Sequence, residues 1–178
     1  MRKRLLGMVL ATFLFISCSL SPEQDIEART FTLPDIALRN ATYVMDRGND
    51  PPLTVVAEEI AIYEQTHQAI IRGLSFSQWD EEGNLILTGH ADSAKVDTEV
   101  YDAELTGSVW IEKFPEHLII EAETLNWISE EEKLTSNGDT PVTLFYENDK
   151  KVQGTGMIAS LATFNVTFDA VLEGVLYQ

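Results

Sequence analysis

The chain has 178 residues, 44% of them hydrophobic, and 12 Lys and Arg stand against 29 Asp and Glu for a net charge of −17 at neutral pH. That length supports one domain with a proper core, and the acidity excludes nucleic acid as a partner, because its phosphates demand basic charge. A single cysteine excludes an intramolecular disulfide, so stability must come from packing and strand pairing.

In chain order, Arg2, Lys3 and Arg4 come first, followed by an uncharged, mainly apolar run of 13 residues from Leu5 to Ser17. At about 1.5 Å per residue that run is too short to cross a ~30 Å hydrocarbon core as a helix. It fits the apolar region of a secretory signal. Cys18 follows directly, and Leu14-Phe15-Ile16-Ser17-Cys18 resembles the lipobox, the cleavage site of bacterial lipoproteins, with Phe15 where leucine is usual. Residues 1–18 are therefore expected to be a lipoprotein signal peptide with Cys18 as the lipid attachment point. An ordinary signal peptide, or an uncleaved anchor with an unrelated cysteine, is the alternative, and both readings export the chain. Without the three basic residues of the signal, nine basic residues face 29 acidic ones, a net of −20. Such a domain is repelled by anionic lipid surfaces unless tethered, and acyl groups on Cys18 would supply the tether.

Residues 19–30 are polar and acidic and read as a flexible stalk, which leaves 31–178 as the folded domain. An early strand is expected around Ile36 to Met45, then a loop from Asp46 to Pro52. Leu53 to Tyr63 looks extended, although its middle would also suit a helix. Further strands are expected over Ala69 to Trp79, Leu85 to Val96 and Val100 to Lys113. In the last of these, Leu105, Gly107, Val109 and Ile111 alternate with Thr106, Ser108, Trp110 and Glu112, the period of a half-buried strand. Pro115 breaks the pattern, and His117 to Trp127 resumes it. A broken strand around Leu134 and Val142 to Tyr146 follows, then Lys151 to Leu161 and Phe164 to Tyr177. The chain thus reads as all-β.

A repeat overlies these strands. Ala57, Ala91, Ala122 and Gly156 start units 34, 31 and 34 residues apart. Three and five residues after each start come Ile60 and Ile62, Ala94 and Val96, Leu125 and Trp127, and Ala159 and Leu161. Gly73, Gly107 and Gly138 each lie 16 residues after their alanine, and Gly174 lies 18 after Gly156. About four two-strand repeats, with only strands available, predict stacked antiparallel strands in two facing sheets. Such a stack has open ends, and an unpaired strand edge is a template for another chain. The C-terminal edge, Phe168, Ala170, Leu172, Gly174 and Leu176, is the expected docking site.

The stretch from Leu85 to Tyr177 resembles the LptC family, the membrane-anchored periplasmic component of lipopolysaccharide transport. The resemblance rests on Leu105-Thr106-Gly107-Ser108-Val109, Ile120 to Leu125, Thr140-Pro141-Val142 and Gly154-Thr155-Gly156-Met157, in that order and spacing. It implies a β-jellyroll whose interior holds the acyl chains of a lipid A-type or other acylated glycolipid. It also implies partners: the permeases of an inner-membrane ABC transporter, and a soluble periplasmic jellyroll joined edge to edge. The expected place is the periplasmic side of the inner membrane. The family's usual anchor is a transmembrane helix, where this chain has a lipoprotein-like signal. Alternation nominates Leu105, Val109, Ile111, Ile120, Phe164, Val166 and Phe168 as the lipid-facing interior. The same faces would serve a filled core, so a non-catalytic scaffold lipoprotein is the alternative function.

Enzymatic and cofactor readings fail on context. Gly154-Thr155-Gly156-Met157-Ile158-Ala159 matches a dinucleotide fingerprint in letters only, since no helix signal follows it. His67, His90 and His117 have no partner at metal-ligand spacing. The acidic runs 80–82 and 130–132 lack the alternating ligands of a calcium loop. No serine-hydrolase pattern occurs. The chain is therefore expected not to be an enzyme and to carry no cofactor.

Overall fold

The computed structural model describes residues 33–47, 50–147, 150–160, 163 and 165–175. The signal, Cys18, the stalk, Phe164 and Leu176 lie outside them. The described residues form twelve antiparallel strands: β1 (Ile36–Arg47), β2 (Asp50–Tyr63), β3 (Gln68–Trp79), β4 (Leu85–Asp97), β5 (Ala103–Lys113), β6 (Leu118–Ile128), β7 (Lys133–Thr135), β8 (Val142–Tyr146), β9 (Lys150–Thr155), β10 (Ile158–Ser160), β11 (Asn165–Thr167) and β12 (Ala170–Val175). A single 3-10 turn, Glu64–Thr66, joins β2 to β3.

Strands β1 to β6 are long and pair in sequence order. The sheet then forks. The first half of β6 (Ile119 to Ala122) pairs with β8, which leads to β9 and β12. Its last residues (Asn126 to Ile128) pair with β7, which leads to β10 and β11. One sheet thus becomes two facing halves, an open jellyroll-like fold with β1 at one edge and β11 and β12 at the other.

A bend across every long strand makes the halves face each other. Residues three apart on a flat strand point to opposite faces. Yet Ala57 and Ile60 on β2, and Ala91 and Ala94 on β4, are buried as pairs. On β6, Leu125 is buried and Ala122 packs on the same core. The strand reverses its inward face at that point because it passes from one half to the other. Flanking registers align the bend as Asn40, Glu58, Gly73, Asp92, then Gly107-Ser108, then Glu123. Left-handed backbone occurs on alternate strands, at Asn40 (φ 48), Gly73 (φ 57), Gly107 (φ 76) and Ser108 (φ 48). The 34-residue repeat is this bend recurring every second strand.

Several boundaries differ from the sequence reading. Val100 to Asp102 form a turn rather than the start of β5. The middle of β2 is strand, not helix. Asp50 to Pro52 belong to β2, since they lie beyond the pairing with β3 that starts at Leu53 and so owe that neighbour no donor. Pro51 instead accepts a hydrogen bond from Gln78 Nε2 at 2.5 Å. Lys151 to Leu161 is broken at Gly156-Met157 into β9 and β10, which sit in different halves. The run expected from Phe164 to Tyr177 is likewise broken at Phe168-Asp169. Leu105, Val109 and Ile111 are buried, but the plain alternation between them is interrupted by a register shift at Gly107-Ser108. Gly138 and Gly174 face open space, so their spacing marks no close approach.

Candidate functional site

Between the two halves lies a cavity of about 350 Å³. One wall is Leu53, Val55, Leu74, Phe76 and Leu87, from the half that ends in β12. The other is Ile71, Ala94, Val96, Leu105, Trp127 and Leu134, from the half that ends in β11. Each wall follows from the bend, which turns both segments of β3 and β4 inward. The lining draws on β1 to β7 and the turns between them and includes nothing from β8 to β12. The most deeply buried large side chains, Ile120, Leu125, Met157, Val109 and Val142, lie outside that lining. The interior is therefore hollow toward β1 and filled toward β8 and β10.

The polar part of the lining is Asp46, Tyr101, Ser129 and Glu132. Tyr101, Ser129 and Glu132 belong to turns that hydrogen bonds make rigid. Asp97 Oδ1 accepts the backbone N–H groups of Glu99 at 2.8 Å and Val100 at 3.2 Å. Asp102 Oδ1 accepts the Ser129 N–H at 2.8 Å and ties the β4–β5 turn to the β6–β7 turn. Asp80 Oδ1 accepts from the backbones of Glu82 and Asn84 between β3 and β4. The Asn84 side chain chiefly holds Asp80 below its ordinary pKa, and the Glu99 backbone does the same for Asp97. Hydrogen bonds to the ionised form keep both carboxylates charged.

The nominated interior residues separate on this geometry. Leu105 and Ile111 line the cavity. Val109 and Ile120 are 2% and 1% exposed and sit in the packed core beside it. Val166 and Phe168 are partly buried against the same core, and Phe164 lies outside the described residues. At the C-terminal edge, Ala170, Leu172 and Gly174 are exposed on β12, which pairs only with β9 among the described strands. Phe168 lies between β11 and β12. Sequence reasoning missed the wall on β2 to β4, that is Leu53, Val55, Leu74, Phe76 and Leu87. The signal was present in the three-residue step from Ala57 to Ile60 and from Ala91 to Ala94, which turns neighbouring segments inward together.

Among the described residues no three His, Cys, Asp or Glu side chains gather as a metal site. His117 Nδ1 lies 3.1 Å from Glu112, His67 Nδ1 lies 3.5 Å from Glu99, and His90 stacks on Trp110. Among the same residues no helix is long and apolar enough to cross a membrane. The cavity offers burial of apolar surface: each methylene moved from water into such a lining gains about 0.8 kcal/mol.

A family model described as lipopolysaccharide-assembly, LptC-related, matches residues 6–175. The chain belongs to the LptC family. LptC proteins act on the periplasmic side of the cell envelope in lipopolysaccharide transport, as a non-enzymatic component of the Lpt machinery. Among curated proteins none matches this LptC-family chain.

Proposed function

We propose that this protein is a tethered lipid carrier. It shelters acyl chains between the two sheet halves, taking cargo from an inner-membrane ABC transporter. It passes that cargo to a soluble jellyroll partner by edge-to-edge strand pairing at β12. The tether is acyl lipid on Cys18, which compensates for the repulsion between an acidic domain and an anionic membrane. The observation that carries the reading is the apolar cavity inside an open sheet whose two edges are unpaired among the described residues. An open edge can extend the groove into a neighbour, so lipid can move without entering water. A scaffold with a filled core leaves that space unexplained.

The test is photo-crosslinking in cells from a probe replacing Phe76, with the adduct identified by mass spectrometry. The expected result is a lipid adduct that fades when ATP is depleted. Crosslinks to Leu105 or Trp127 alone, with no lipid, would point to a closed core and remove the carrier reading.

A further inference from the structure

Resting on the carrier reading, the charge around the cavity narrows the cargo. We infer that the cavity takes the tails of a glycolipid whose tail-bearing sugars carry no phosphate. The head of any lipid held here must stay at the mouth, because the lining cannot satisfy buried polar groups beyond those few at its margin. Asp46 and Glu132 are part of that lining. The turns that close the long strands add Asp80, Glu81 and Glu82, then Asp97, Glu99 and Asp102, then Glu130 and Glu131. Two basic groups beside these turns sit next to acids: Lys133 is paired with Glu131 at 2.6 Å, and His67 lies 3.5 Å from Glu99. Lys113, at the end of β5, is partly buried and has Glu116 nearby.

The chemistry of the two head groups differs in what it offers a carboxylate. Sugar hydroxyls and amines donate hydrogen bonds, and ionised carboxylates are acceptors only. An ionised phosphate offers acceptors alone and brings a second negative charge to an already negative rim. Anion recognition elsewhere uses Arg, Lys or clustered backbone N–H groups, whereas turn N–H groups are already engaged by Asp80 at one end of β4 and by Asp97 and Asp102 at the other. An acyl lipid with uncharged sugars therefore gains both apolar burial and hydrogen bonds, whereas a phosphorylated one gains burial against repulsion.

The experiment offers the full-length protein mixed micelles containing equal amounts of diglucosyl diacylglycerol and phosphatidylglycerol with matched acyl chains. Native mass spectrometry counts the lipid retained. At about 10 mM salt, where charges act over ~30 Å, the glycolipid should exceed the phospholipid at least tenfold. At about 1 M salt, where the reach falls to ~3 Å, the ratio should collapse toward one. Glu132→Lys should lower the ratio at low salt. Equal retention at low salt, or a ratio that salt does not move, overturns the inference and leaves the carrier reading standing. Retention of neither lipid removes the carrier reading and the inference with it.

Discussion

Met157 shows how a residue with no chemistry of its own decides where the hollow stops. Its N–H donates to Ser136 Oγ at 2.8 Å, and its carbonyl accepts the Ser136 N–H at 2.9 Å. Those two bonds fix the backbone at the break between β9 and β10. The side chain is 0% exposed, as are Leu125 and Val142. Met157→Ala should therefore cost the lost transfer energy plus the new cavity, about 2–5 kcal/mol. Leu74→Ala should cost less, because Leu74 already faces open space and gives up fewer atom contacts. Urea unfolding of both variants checks the order. A Leu74→Ala loss equal to or above that of Met157→Ala would mean that the cavity is closed in solution.

At the scale of the strand, the bend depends on residues that tolerate left-handed backbone. Gly73 has φ 57, and a Cβ added there would lie 2.6 Å from Glu58 Cδ. Glu58 is exposed and can swing aside, so what remains is the backbone penalty of roughly 1–2 kcal/mol for an L-residue. Gly73→Ala should lose about that much stability, and Gly73→Asn less, since Asn enters this region more readily. Thermal unfolding reads both, and a neutral Gly73→Ala would show that the bend does not need this conformation. The strands themselves were legible in the sequence because alternation and turn residues act locally. Gly83, Asn84 and Pro115 stand between strands, where turn residues are expected. The spacing of Ala57, Ala91 and Ala122 was legible too, but its three-residue step carried a meaning that alternation alone hides. Alternation assigns one face to a whole strand, so it nominated Val109 and Ile120 and passed over Leu74 and Phe76. Whether an inward face is packed or hollow depends on partners far along the chain. Met157 is packed in the filled end, whereas Leu53 lines the cavity.

The whole molecule is then a fold with two mechanical regimes. The strands that line the cavity, chiefly β2 to β5, enclose space, and the end at β8 and β10 is filled. Stability in such a structure need not be uniform, and segments with less packing open at lower free energy. A lipid held in the cavity touches only the first regime. It stabilises the bound form by about 2.7 kcal/mol when present at 100 times its Kd, which corresponds to roughly 100-fold slower opening populations. Hydrogen exchange of the protein with and without diglucosyl diacylglycerol should show this slowing in the amides of β2 to β5. Amides around Val142 and Ala159 should change little, since their protection comes from a core the lipid does not reach. Protection gained on β12 alone would place the lipid on the exposed C-terminal edge, where Val171 and Leu172 are 63% and 58% exposed. Equal slowing throughout would mean that the two ends open as one unit. In that case the filled end could not serve as a fixed platform for a docked neighbour while the hollow end exchanges its cargo.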